Sequence, residues 1–251
     1  MPQEMVYGRN AVRELLQSGK ELNKVLLQSE GTTRRNHEVV PLLRERGIPY
    51  QFVDRTTLDR LSGGANHQGI MAYVAAREYA TVEQILALAE AQQEDPLILM
   101  LDEVEDPHNL GAIIRTVHAV GAHGVIIPKR RSVALTGTVA KTSAGAVEHV
   151  LVARVANLVQ TLKELQAAGC WVTGAEADGK DVYACDLTGP RVLVIGGEGR
   201  GLSRLVRESC DEIVSLPMRG KVNSLNASVA TSVLLYEILR QRRHRAAETL
   251  P

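Results

Sequence analysis

Val192-Leu193-Val194-Ile195-Gly196-Gly197-Glu198-Gly199-Arg200-Gly201 reads as a strand that breaks directly into a glycine-rich turn. Its four apolar residues show no polar alternation, so the strand is covered on both faces, as in a parallel sheet between helical layers. Similar runs occur at Leu97 to Leu101, Gly124 to Ile127, Val150 to Val155, Trp171 to Thr173 and Glu212 to Leu216. Helical patterns fall between them, near 109–120, 134–144, 156–168, 201–208 and 226–245. From Pro96 onward the chain therefore predicts an α/β domain built on a parallel sheet. The turn itself matches neither G-x-G-x-x-G nor G-x-x-x-x-G-K-[ST], so dinucleotide and P-loop readings fail on spacing and a nicotinamide oxidoreductase is disfavoured. Its glycines let backbone groups come close to some other ligand, and Glu198 adds one carboxylate at the carboxyl end of the strand.

Two more polar islands stand where a strand gives way to a helix. The first is Asn109-Leu110-Gly111-Ala112-Ile113-Ile114-Arg115-Thr116. Asp106-Pro107 is a helix entry, with Asp as cap and Pro in the first turn. Ile113, Val117 and Val120 make the buried stripe, and Arg115 lies about 160° from Ile113. One turn before Arg115 sits Gly111, so the arginine is read as pointing over a bare patch with room for an anion. The alternative is an exposed arginine on a surface helix. The other island is Asn223-Ser224-Leu225-Asn226-Ala227-Ser228, opening a helix with Ala230, Val233, Leu234 and Ile238 on its apolar face. Capping explains one of these polar residues more easily than all of them. Three islands along one sheet suggest a single composite site.

The remaining polar features are weaker. Asp102, Glu103, Glu105 and Asp106 have no His or Cys at ligand spacing and read as solvated or capping charges, so no metal is expected. His118 and His123, five apart, miss the i, i+4 spacing of a helical zinc pair. Arg240, Arg242, Arg243 and Arg245 close the last helix, and Lys129-Arg130-Arg131 follows a strand; both clusters suit phosphate or plain solvation.

Residues 1–76 read as a smaller α/β unit, with strands at Lys24 to Gln28, Tyr50 to Val53 and Gly69 to Ala75 and helices after Asn10, from Asn36 to Arg46 and near Thr57 to Leu61. The turn Ser62 to Gly69 is exposed and rich in hydrogen-bonding groups. Residues 77–95, with a helix from Val82 to Ala91, read as a linker, and 96–251 as the main domain. Across the 251 residues, 29 Lys plus Arg balance 29 Asp plus Glu, so any nucleic-acid contact must come from local patches. Aromatic residues are 3%, too few for a base-stacking platform, which leaves phosphate and ribose as the contact points. Three scattered cysteines signal neither a disulfide framework nor a zinc site and fit a reducing cytoplasm. No run is long enough for a membrane span.

Taken together, Asn109-x-x-Gly-x-x-x-Arg115-Thr, Gly196-Gly-Glu198-Gly and Ser224-Leu-Asn226 resemble the three motifs of the SpoU (TrmH-type) branch of the SPOUT RNA methyltransferases. The resemblance spans residues 96 to about 245. The first 76 residues resemble the small ribosomal-protein-like RNA-binding domain of the 23S rRNA guanosine 2'-O-methyltransferases of the RlmB type, with Val6-Tyr7-Gly8-Arg9-Asn10-Ala11-Val12 as the opening. The resemblance implies a C-terminal trefoil knot, a homodimer with each active site completed across the interface, and S-adenosyl-L-methionine as cofactor. Gly196, Gly197, Leu216, Met218 and Leu225 are then expected to hold the cofactor, with Thr173 and Gly174 lining the same pocket. Arg115, Asn109, Glu198, Ser224 and Asn226 are expected to carry catalysis, and Arg9, Lys129, Arg130 and Arg131 to contact RNA. The expected partner is RNA, best 23S rRNA, and neither DNA nor membrane. A tRNA ribose methyltransferase is the alternative of the same class, and a non-catalytic RNA-binding assembly factor the alternative of another.

Overall fold

Alternation of apolar side chains along each strand decides how the layers form. A computed structural model describes residues 5–17, 20–29, 39–75, 78–197, 199–220 and 224–248. The chain divides into two compact units, one of Met1–Glu78 with Ala134–Thr138, the other of Tyr79–Val133 with Val139–Pro251.

The first unit carries strands β1 (Met5–Tyr7), β2 (Leu22–Gln28), β3 (Tyr50–Val53) and β4 (Ile70–Val74) in the order β1-β4-β2-β3. Only the β2–β3 pair is parallel. Val25 and Leu27 face one way, with Ile70, Ala72 and Val74, into a core closed by Val12 and Leu16 of α1 (Arg9–Gln17) and Leu43 of α2 (Val40–Glu45). Leu26 and Met71 face the other way and meet Leu58 of α3 (Arg55–Leu61), as the two-residue period of a strand requires. Of the expected second helix, the part at 36–38 lies outside the described residues. The turn Ser62 to Gly69 is tied down at its centre. His67 is buried, its Nδ1 accepts from Gly69 N (2.9 Å) and its Nε2 therefore donates to Asp59 Oδ1 (2.8 Å).

In the second unit, β5 (Leu97–Asp102), β6 (Gly124–Pro128), β7 (Leu151–Val155), β8 (Trp171–Asp181), β9 (Arg191–Gly196) and β10 (Glu212–Ser215) form a sheet ordered β10-β8-β9-β5-β6-β7, with every pairing parallel. Ile98, Met100, Ile126, Val172, Val192 and Val194 pack on one face against α4 (Val82–Gln92), α7 (Leu158–Ala167) and α8 (Arg204–Glu208). Alternate residues such as Leu99, Leu101, Val125 and Leu193 are equally buried on the other face. There α5 (Pro107–Val120) and α9 (Ala227–Glu248) pack together, joined by a Thr116 Oγ1 to Ser232 Oγ hydrogen bond of 2.9 Å. A short helix, α6 (Gly137–Thr142), follows β6.

Two sequence expectations change here. The stretch read as a linker supplies α4, capped by a Thr81–Gln84 capping box, whose Ile85 and Ala89 are fully buried. Gly124 lacks a Cβ at the point where Ile85 lies against β6, so α4 is a packed layer of the second unit. The strand expected at Trp171 to Thr173 runs on to Asp181. Against β10 the register jumps from Gly174 opposite Ile213 to Lys180 opposite Val214, leaving Ala175 to Gly179 as an excursion. That segment is polar and gives no hydrophobic signal. Gly179 is required there because a Cβ would fall 2.5 Å from the Val214 carbonyl carbon. Among the described residues no helix is long and apolar enough to cross a membrane.

Candidate functional site

The parallel sheet ends in two adjoining clefts on either side of the glycine turn. The larger, about 600 Å³, is lined on one wall by Gly196, Gly197, Gly199, Arg200 and Gly201 and on the other by Leu216, Met218, Ser224, Leu225 and Asn226. The second, about 590 Å³, is lined by Glu103, Glu105, Asp106, Asn109 and Arg131, and shares Gly197 and Arg200 with the first. The first cleft mixes apolar side chains with glycine backbone. The second is charged.

The three islands meet at this junction. Asn226 Nδ2 donates to Asn109 Oδ1 at 3.0 Å, joining the start of α9 to the first turn of α5. Asn226 Oδ1 meanwhile accepts from Ser228 N (2.9 Å) and Val229 N (3.3 Å), so it caps its own helix as well. Asn109 is buried, and the cap of α5 is Asp106, which accepts from His108 N at 2.9 Å. Ser224 and Leu225 are exposed on the cleft wall. Glu198 lies outside the described residues.

The glycine turn is shaped by its own backbone. The returning chain passes so close to Gly196 that a Cβ there would lie 2.1 Å from the Gly201 carbonyl carbon. Gly201 N donates to Gly197 O at 3.2 Å, closing the turn into a ring. At Gly197 a Cβ would meet Glu103 O at 2.4 Å.

Some expectations are corrected. Thr173 and Gly174 do not line the cleft. Thr173 is fully buried, donates to Glu212 Oε1 (2.9 Å) and accepts from Arg191 Nη1, while Gly174 faces Cys210, Ile213 and Leu202. The excursion in β8 shifts the lining to Ala175, Glu176 and Ala177. Nor does Gly111 leave a bare patch beside Arg115. It is buried, and a Cβ would lie 1.9 Å from Thr142 Oγ1 and 2.7 Å from Thr142 Cβ, because the end of α6 packs there. Gly111→Ala should therefore lower stability by about 1–3 kcal/mol despite the better helix propensity of alanine. Thermal unfolding checks this, and an unchanged or raised Tm would contradict the packing role.

Arg115 is exposed and lines neither cleft of its own chain. Lys129 is half-buried, and Arg130 and Arg131 are exposed. Arg131 pairs with Glu103 at 2.9 Å, which raises its pKa, at the rim of the charged cleft. In the first unit Arg9 opens α1, its N–H donating to Gln68 Oε1 at 3.0 Å. The basic end of α9 is largely engaged within the fold. Arg240 pairs with Glu237 at 2.8 Å, and Arg242 donates to the carbonyls of Asp95, Pro96 and Gly189, its own pKa lowered by burial. His123 is buried too, its pKa lowered by desolvation, and it accepts from Leu97 N at 2.9 Å.

Residues missed in the sequence are Glu176, Asp102 and Arg200. Arg200 is the single cation of the turn and could have been singled out; Glu176 and Asp102 gave no motif signal. Among the described residues no group of three His, Cys, Asp or Glu could hold a metal ion.

The parallel sheet, its glycine turn facing a cleft and two asparagines joined at the mouth, is shared with the SPOUT class of methyltransferases, as comparison with known proteins shows. Residues 96–236 match the SpoU rRNA methylase family, and residues 5–80 match the substrate-binding domain of RNA 2'-O ribose methyltransferases. The chain belongs to the SpoU rRNA methylase family, whose cofactor is S-adenosylmethionine. It is 49% identical over 95% of its length to YacO of Bacillus subtilis strain 168, named a TrmH family tRNA/rRNA methyltransferase, and covers 96% of that protein. Among solved structures it is similar to the SpoU methyltransferase AviRb from Streptomyces viridochromogenes in complex with AdoMet, with a TM-score of 0.62 and 27% identity, covering 97% of this chain and 92% of that one. A TrmH/SpoU tRNA modifying enzyme of A. aeolicus matches 67% of this chain and 87% of its own at 30% identity, with a TM-score of 0.56.

Proposed function

We propose that the protein methylates the ribose 2'-hydroxyl of a guanosine in 23S rRNA, in the cytoplasm, as a homodimer. The observation that carries the reading is the Asn109–Asn226 hydrogen bond at the junction of the two clefts. It puts the cofactor wall and the charged cleft on one rigid support, which is what positioning two reactants requires. The larger cleft fits the cofactor in size, and its mix of glycine backbone with Leu216, Leu225, Ala230 and Leu234 suits a nucleoside with a polar tail. Bound there, S-adenosylmethionine supplies an electrophilic methyl group on a positively charged sulfur.

The rest of the chemistry belongs to the chain. Asn109, Ser224 and Asn226 orient the ribose, and the motif assigns Glu198 the same role. Arg131, paired with Glu103, and Arg200 are, among the described residues, the two cations of a cleft that also carries Glu105 and Asp106, so they meet phosphate as single contacts and not as a basic field. A guanidinium already carries its proton and has no lone pair to accept another, so Arg115 is not the base. It clamps the substrate phosphate, which takes the proton of the 2'-hydroxyl. Because Arg115 is exposed and lines neither cleft of its own chain, it serves the partner's site. Two exposed apolar residues seven apart on α9, Val229 and Tyr236, support a helical dimer face. A first unit devoted to substrate binding supports a structured ribosomal target, and the resemblance of its opening Val6 to Val12 supports the RlmB type. Mapping 2'-O-methylation across total RNA from cells with and without the protein tests this. Loss of one mark at a 23S rRNA guanosine is expected; loss confined to tRNA would overturn the target.

A further inference from the structure

Two carboxylates hold the glycine turn from opposite sides, and neither belongs to the three motifs. Asp102 ends β5 in register with Gly196, and Glu176 follows Ala175 of β8, which is in register with Ile195. They therefore flank β9 where it enters the turn. At the exit of the turn, Leu202 N donates to Glu176 Oε1 at 2.5 Å and the next amide, Ser203 N, donates to Asp102 Oδ2 at 2.7 Å. Asp102 is 4% exposed. The second oxygen of Glu176 is held by Arg207 Nη1 at 2.7 Å, and Arg207 also grips Asp178 through both Nη atoms at 2.9 Å. Glu176 is thus fixed from behind, by residues of the β8 excursion and α8. Gly201 is needed at the same point, since a Cβ there would lie 2.4 Å from Glu176 Oε1.

We infer that Glu176 and Asp102 are positioning residues that clamp the glycine turn, through Leu202 N and Ser203 N, in the shape that binds S-adenosylmethionine. Bonds from backbone N–H to carboxylate are about twice as strong as neutral ones. Two of them on consecutive amides keep Gly197, Gly199 and Arg200 on the cleft wall before any ligand arrives. A loop ordered in advance does not lose that freedom on binding, so the clamp acts on cofactor affinity rather than on the chemical step. The inference rests on the larger cleft being the cofactor site.

Titration calorimetry with S-adenosylmethionine, steady-state kinetics and amide hydrogen exchange on the full chain test it. Glu176→Ala and Asp102→Ala are expected to weaken cofactor binding about 10- to 100-fold. They should raise the cofactor KM in step and leave kcat within about threefold, with faster exchange at Leu202 or Ser203 in the cofactor-free protein. Glu176→Gln and Asp102→Asn keep a carbonyl acceptor and should recover most of the affinity, to within about threefold of wild type. Should the alanine variants fail to fold, this small loss with faster exchange at the matching amide remains the expected result. Wild-type affinity in folded alanine variants, unchanged exchange, or a fall in kcat at constant KM would overturn the clamp. Ala230→Trp fills the cleft and separates the two ideas: if it binds cofactor normally, the cleft assignment fails, while the exchange rates still report on the clamp.

Discussion

Arg115→Ala is expected to lower methyl transfer by at least about 100-fold, the scale seen when one charge-stabilising donor is removed from a site, while cofactor affinity stays within about threefold. The separation follows from position. Arg115 is exposed on α5 and touches neither cleft of its own chain, so its loss leaves the cofactor wall intact. If it serves the partner's site, mixing Arg115→Ala with a second inactive variant whose cleft is filled, such as Ala230→Trp, should restore activity. Half of randomly mixed dimers would be hybrids, each with one complete site. Turnover should return to about a quarter of wild type on this counting of sites. No recovery would place Arg115 in its own chain's site, and near-normal turnover of Arg115→Ala alone would remove it from the mechanism.

The second large effect is expected at Gly196. A methyl group there would occupy the space of the Gly201 carbonyl and of Leu202 N, which would lie 2.5 Å away. These are backbone atoms and cannot rotate aside, so Gly196→Ala must push the turn off the strand end. Cofactor affinity should fall by more than about 100-fold, since backbone groups of the turn line one whole wall of the cleft. The sheet itself should persist, because β9 is paired on both sides as far as Ile195. Calorimetry with S-adenosylmethionine, set beside far-UV circular dichroism, measures both. Unchanged binding would show that the turn does not form the cofactor wall.

How much was legible in the sequence depended on whether the cause was local. Val192 to Ile195 announced a doubly covered strand because four apolar residues in a row have few other uses, and Tyr50 to Val53 was bounded by its turn chemistry in the same way. The short β1 was not legible, since three residues become a strand only by pairing with β4, more than sixty positions away. The polar half of β8 was missed for a related reason. Its place is set by β9 and β10, and by Gly179 against the Val214 backbone. That miss moved the cleft lining from Thr173 and Gly174 to Ala175, Glu176 and Ala177.

The composite site was legible as three motifs, but the meaning of single residues was not always so. Gly111 read as an opening for a ligand and is instead where Thr142 packs. Asp102 read as a solvated charge and is buried, bound to Ser203 N. Arg242 read as a phosphate contact or a solvated charge and is pinned to three carbonyls of its own fold. In each case the deciding partner lies at least thirty residues away in the chain, where periodicity and spacing carry no information. The N-cap Asp106 and the capping box at Thr81 involve neighbours only.

The central claim is that the three islands form one site, with cofactor against the glycine turn and ribose at the Asn109–Asn226 junction. A crystal structure of the full chain with S-adenosylmethionine tests it most directly. The account predicts the cofactor in the cleft lined by Gly196, Gly197, Leu216 and Leu225, with its methyl group turned toward Asn109 and Asn226. A cofactor bound elsewhere, or in this cleft with its methyl group turned away from the two asparagines, would contradict it.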